Sequence, residues 1–199
     1  MKSELIQKLS KIEDFEEPKV SLEQYLTPPE LAADILHTAF MQEDIEGKEV
    51  LDLGTGTGIL GIGAALLGAD VKAVDKDKDA LEIAEQNAEK LGMSEFISFE
   101  HLDIEEVEGE YDTVVMNPPF SVHSEIGIDF LKKAVDVSNV VYTVSHPGRR
   151  KAIKGFLENS NHSLEALEQY TVKLPATYGF HTEEARETEI DVIITRRNK

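Results

Sequence analysis

The chain has 199 residues, 41% apolar and 30% charged, and a formal net charge of −19. That balance suits one folded domain with a sizeable core and excludes a disordered chain. With no cysteine, disulfides and thiolate metal sites are excluded, and no apolar run reaches the ~18 residues of a membrane span.

In chain order, Leu5, Ile6, Leu9 and Ile12 fall at helical spacing and predict a short amphipathic first helix. The opening MKSELIQKLSKIEDF lacks the apolar core and cleavage site of a signal peptide, so the cytoplasm is the expected compartment. A linker rich in breakers, EDFEEPKVSLEQYLTPPE, follows. Thr27 is placed to cap a helix that begins through Pro28 and Pro29 and runs to about Phe40. From Lys48 strands and helices alternate. KEVLDL, VKAVD, FISFEHLD, YDTVVMN and NVVYTVS read as strands. Between and after them, ILGIGAALLG, KDALEIAEQNAEKLG, GIDFLKKAVDV and RRKAIKGFLEN read as helices. LEALEQYTVKLP and TEIDVIITRR complete seven strands. The alternation predicts an α/β fold, a mostly parallel sheet with helices on both faces. Residues 1–199 read as a single domain, with 1–46 as an N-terminal helical extension. The acidic run from Glu105 to Glu110 reads as a solvated loop.

The turn after the first strand, VLDLGTGTGILGIG, holds Gly56-x-Gly58-x-x-Gly61, and Asp75 ends the next strand. That spacing fits a dinucleotide site. It also fits Asp52-x-Gly54-x-Gly56-x-Gly58, the acid-then-glycines turn that brings S-adenosylmethionine close to the backbone. In that frame Asp52 supplies a negative field near the sulfonium and amino group. Asp75 accepts from both ribose hydroxyls, and Asp103, ending the third strand, accepts from the adenine amino group. All three acids end strands, where open α/β sheets bind ligands. The acid before the glycines favours the methyl donor over NAD.

The fourth strand runs into Asn117-Pro118-Pro119-Phe120. An exocyclic amino group is a poor nucleophile because its lone pair is delocalised. Two acceptors on its N–H bonds, the Asn117 side-chain oxygen and the Pro118 carbonyl, localise that pair and aim it. The prolines fix the acceptors in advance, and Phe120 offers a face for a planar substrate. A base would have to be unpaired or flipped to reach the site; no metal is required. The motif alone suits adenine in RNA or DNA and a glutamine side chain equally.

On these residues the chain resembles the archaeal and eukaryotic small-subunit rRNA adenine-N6 methyltransferases, the methyltransferase-like protein five group, with a Rossmann-like class I fold. The likeness spans FEEPKVSLEQYLTPPELAADIL, DLGTGTGILGIGAALLGA, DALEIAEQNAE, VVMNPPF and LPATYGFH, and LEQYLT is its most discriminating part. It implies that Gln24, Tyr25 and Thr27 close over S-adenosylmethionine beside Gly54, Thr57, Gly58 and Ile59. Asp75 then takes the ribose, Asp103 the adenine, and Asn117 to Phe120 the target base. A glutamine-N5 methyltransferase acting on a release factor is the competing reading. The chain departs from the pattern at Ser121-Val122-His123-Ser124 and Thr182-Glu183-Glu184-Ala185-Arg186, where relatives are more basic. Arg149, Arg150, Lys151 and Lys154 are the candidate RNA patch, and Phe180 and His181 candidate pocket walls. The resemblance also implies heterodimerisation with a small zinc-binding activator subunit. An edge strand carrying Phe96, Ile97 and Phe99 on exposed positions would receive it.

Overall fold

Strand and helix periods separate cleanly from residue 49 onward, and the elements follow them. A computed structural model describes residues 1–119, 126–174 and 186–199. The helices are α1 (Lys2–Leu9), α2 (Pro29–Met41), α3 (Ile59–Leu66), α4 (Lys78–Lys90), α5 (Ile126–Val137) and α6 (Arg150–Leu157). The strands are β1 (Glu49–Leu53), β2 (Asp70–Asp75), β3 (Ile97–His101), β4 (Tyr111–Met116), β5 (Ser138–Ser145), β6 (His162–Leu174) and β7 (Arg186–Arg197). They form one seven-stranded sheet in the order β3-β2-β1-β4-β5-β7-β6. Strands β1 to β5 are parallel and β7 is antiparallel to both its neighbours.

Helical faces dictate the layers. Leu5 and Leu9 of α1, Leu36 of α2 and Ile62 of α3 bury against one face of the sheet, with Val71 and Tyr142. Leu131 and Val135 of α5 and Ile153 of α6 bury against the other, with Leu53 and Val114. β1 is buried at four of its five positions, as a central parallel strand covered on both faces must be. From β1 the chain builds outward through β2 and β3 on one side, then crosses back to β4 on the other. The carboxyl ends of β1 and β4 therefore flank the crevice where the strand order reverses, the place such sheets bind ligands.

A polar cluster gathers at the β5-β7-β6 end of the sheet. The Tyr142 hydroxyl, on a side chain fully buried in β5, donates to Asp44 at 2.7 Å, and Arg196 of β7 reaches the same carboxylate at 2.8 Å. Arg196 also meets Glu165 of β6 at 2.5 Å. The turn after α2 is thereby fastened to three strands.

Four expectations change. The first helix stops at Leu9, and Ile12 is buried from the turn that follows. The third strand is shorter than 96–103, because Ser94–Phe96 forms a 3₁₀ turn and Leu102 already leaves the ladder. Strand β3 does lie at the sheet edge. Of the three large apolar residues expected to be exposed there, only Phe96, in the turn before β3, is well exposed, at 47%; Ile97 is buried at 7% and Phe99 packs partly against the core. An edge strand lacks one neighbour in its plane, but the helices still cover its face. Finally, Thr27 does not cap α2: the N-cap is Pro28 with no side-chain bond. Its hydroxyl goes elsewhere.

Candidate functional site

The glycine turn is built by the acid that precedes it. Asp52 is buried, and its Oδ2 accepts from Thr55 Oγ1 at 2.6 Å and from the Gly61 N–H at 2.7 Å. One carboxylate thus binds the turn to the first turn of α3, whose N-cap is Gly58. Gly54 sits at φ +75°, and a Cβ there would lie 2.8 Å from the ring of Phe130 on α5. Gly56, at φ +55°, would meet the Phe15 ring at 3.0 Å. Side chains at either position would push away the walls that close on the turn, at a cost of about 1–3 kcal/mol in overpacking alone. Burial pushes the Asp52 carboxyl up to about 7.

Asp75, at the end of β2, lies beside that turn. Its Oδ2 accepts from the Gly56 N–H at 2.8 Å and its Oδ1 from the Asp77 N–H at 2.9 Å. Burial holds its carboxyl above the usual range. Each oxygen keeps a second lone pair for a ligand hydroxyl. Asp103 follows β3 and caps a short 3₁₀ turn over Ile104–Glu106, exchanging hydrogen bonds with Glu106.

The stretch 13–27 covers the turn, held by ties the sequence reading missed. Lys19 Nζ reaches Asp77 at 2.5 Å and Asp79 at 2.7 Å, while Gln24 Nε2 donates to Asp77 Oδ2 at 2.7 Å. Asn87, buried in α4, donates to the carbonyls of Glu13 and Thr57, stitching strap, helix and turn. Burial would raise the Asp77 carboxyl, but the bonds from Lys19 and Gln24 outweigh it and hold the group below its ordinary range. The bonds to Asp77 and Asp79 lift Lys19 to about 12.

Asn117 stands at the end of β4. Its Nδ2 donates to Thr27 Oγ1 at 2.9 Å, and the Tyr25 hydroxyl donates to its Oδ1 at 2.9 Å. Burial raises the Tyr25 phenol above its ordinary value. Every predicted donor-site residue except Gly58 lines one cavity of about 670 Å³, and Asn117 and Pro119 line it too. Pro118 faces a smaller hollow against Ile128 and Leu131. Phe120, the Ser121–Ser124 departure, Phe180, His181 and residues 182–185 lie outside the described residues.

Of the expected RNA patch, Arg150 belongs to the fold. Its Nε and Nη2 each meet a carboxylate oxygen of the fully buried Asp191 at 2.6 Å. Removing one partner of a buried ion pair is costly, and both carboxylate oxygens are engaged here, so this guanidinium is committed. Lys151 and Lys154 are exposed on α6.

The family model for the methyltransferase small domain matches residues 30–141. The rRNA N(6)-adenosine-methyltransferase METTL5 of Danio rerio is 36% identical over 194 residues, covering 93% of both chains. Its Drosophila melanogaster counterpart is 36% identical over 195 residues, covering 92% of this chain and 90% of its own. The crystal structure of PH1948 from Pyrococcus horikoshii superposes with a TM-score of 0.93 at 34% identity, over 100% of this chain and 98% of that one. The chain belongs to the methyltransferase small domain family and, within it, to the group of the METTL5 proteins.

Proposed function

We propose that this protein transfers a methyl group from S-adenosylmethionine to N6 of an adenosine in small-subunit ribosomal RNA. The observation that carries the reading is the Asn117 carboxamide, held at the wall of the cavity that the glycine turn and Asp75 also line. The METTL5 relatives carry the rRNA adenosine activity in their names, and the likeness runs nearly end to end.

The cavity suits the donor. Its volume of about 670 Å³ falls within the ordinary range for small-molecule sites. Asp75 offers lone pairs for two hydroxyls, and the buried Asp52 favours a cation nearby. When bound, S-adenosylmethionine supplies an electrophilic methyl group on a cationic sulfur. Gln24 walls the donor side, and Tyr25 and Thr27 line the cavity where that side meets Asn117, with their hydroxyls turned to the Asn117 carboxamide; Thr57 and Ile59 shape its floor, and Asp103 is the acceptor for the adenine amino group. Asn117 Oδ1 and the Pro118 carbonyl accept from the two N–H bonds of the target amino group and turn its lone pair toward the donor. Pro118 and Pro119 keep that geometry fixed before the reaction. Phe120 stacks on a base taken out of its helix.

The acceptor RNA meets the exposed Lys151 and Lys154 rather than Arg150. A small zinc-binding activator subunit adds to the free edge of β3 in this reading, with Phe96 under its contact. The whole acts in the cytoplasm, as a single domain that includes the N-terminal extension. Among the described residues no helix is long and apolar enough to cross a membrane.

Labelled methyl transfer, offered separately to small-subunit rRNA and to a translation release factor and followed by nucleoside analysis, tests the reading. Label in N6-methyladenosine is expected. Label confined to a glutamine of the protein would replace it with the amide-directed alternative.

A further inference from the structure

We infer that Tyr25 and Thr27 are positioning residues for the transfer, two hydroxyls that hold the Asn117 carboxamide with its oxygen turned to the amino group. The inference rests on the reading of Asn117 above. A carboxamide has two ends of nearly equal size, and its terminal torsion is broad and roughly two-fold. Turned over, Asn117 would present N–H donors to an amino group that also donates. The lone pair would then stay delocalised and the substrate would be repelled.

The two ends of the amide meet chemically different hydroxyls. The Tyr25 phenol faces Oδ1 at 2.9 Å, and the Thr27 alcohol faces Nδ2 at 2.9 Å. A phenol is the stronger donor and the weaker acceptor, because its oxygen lone pair is drawn into the ring; an aliphatic alcohol is the better acceptor. Each hydroxyl stands at the end it serves better, and flipping the amide would worsen both bonds. Burial raises the phenol, so it remains a donor at neutral pH. Oδ1 keeps its second lone pair for the substrate.

Both sides of the contact are rigid for the same reason. Thr27 precedes Pro28-Pro29, and Asn117 precedes Pro118-Pro119. A residue before proline is kept out of the helical region, so both backbones are confined before their side chains meet. Upstream, Gln24 is fixed to Asp77 at 2.7 Å. Downstream, α2 begins at Pro29 and buries Leu31, Ala32 and Ile35 in the core. The three residues from Tyr25 to Thr27 are thus held at both ends.

The test compares Tyr25→Phe, Thr27→Val and Thr27→Ser with the unmodified full chain. It measures single-turnover methylation of rRNA at saturating donor, donor affinity by equilibrium binding, and the thermal midpoint. Phe and Val each remove one hydroxyl and are expected to slow the turnover step about 10-fold or more, since misplacing a reacting group by ~1 Å costs on the order of 100-fold. Donor affinity should stay within about 2-fold, and Thr27→Ser, which keeps the acceptor, should recover most of the rate. Unchanged rates in both hydroxyl deletions would overturn the inference, as would a faster Tyr25→Phe, which would make the phenol a mere occupant of the substrate's place. Rate losses matched by equal losses of donor affinity or of folding would also overturn it. Asn117→Ala, run alongside, separates the failures. If it is inactive while both deletions are normal, only the positioning role falls; if it turns over normally, the proposed site falls and takes this inference with it.

Discussion

The two ends of the cavity are held together by different physics. At the donor end the groups are ionic or nearly so: Lys19 against Asp77 and Asp79, Asp75 on two backbone amides, and Asp52 buried beneath the turn. At the acceptor end they are neutral: one carboxamide, two hydroxyls and two proline pairs. A sulfonium donor carries permanent charge, so its recognition can be electrostatic. An amino group is neutral until it reacts, and only geometry can select it. The donor end should therefore respond to pH and salt, and the acceptor end to small displacements.

The largest effect expected is that of Asn117→Ala. Turnover should fall at least ~100-fold, on the scale of losing one preorganised partner of the reacting group. Donor affinity, read by titration, should move less than ~2-fold; a parallel collapse would mean that the two ends are one site. Asp75→Asn sets the comparison from the other side. Charged hydrogen bonds are worth about 1.5–3 kcal/mol, so donor binding should weaken roughly 10- to 100-fold. The rate at saturating donor should change much less.

A smaller effect follows from pH. The Asp52 carboxyl is raised by burial to about 7, from an ordinary 3.8. With the folded value above the unfolded one, its contribution to stability is full below pH ~3.8 and is lost as pH rises toward ~7. A cationic donor favours the ionised form, so donor affinity should rise between roughly pH 6 and 8, with a proton released on binding. Calorimetry in buffers of different ionisation enthalpy reads that proton, and Asp52→Asn should abolish it. The smallest change is that of Lys19→Met. This half-exposed lysine should cost donor affinity only ~2- to 3-fold, and the difference should shrink as salt screens it. Sensitivity to salt in the single-turnover step of that variant would blur the contrast.

What could be read along the chain was whatever is local. The alternation of periods defined all seven strands, and Asp52, Asp75 and Asn117 stood out because each ends a strand beside a turn residue. What could not be read depends on partners far away. Lys19 meets Asp77 across 58 residues and Asn87 meets Glu13 across 74, and after Asp75 nothing in KDKD sets Asp77 apart from Asp79. Arg150 looked like a surface cation because Asp191 lies 41 residues on, inside a strand. Thr27 looked like a helix cap since the prolines after it do open a helix; its hydroxyl nonetheless satisfies Asn117, 90 residues away. Ile97 looked exposed because strand order says nothing about which face the helices cover.

The strap between Gln24 and Pro29 has a consequence for length. Irregular surface segments ordinarily tolerate inserted or deleted residues better than helices and strands do. Here the segment is pinned to Asp77, the N-cap of α4, on one side and runs directly into α2 on the other. One residue more or fewer would move both hydroxyls off the Asn117 amide while leaving every helix and strand intact. The least regular stretch around the cavity is thus the one with the least freedom to change in number.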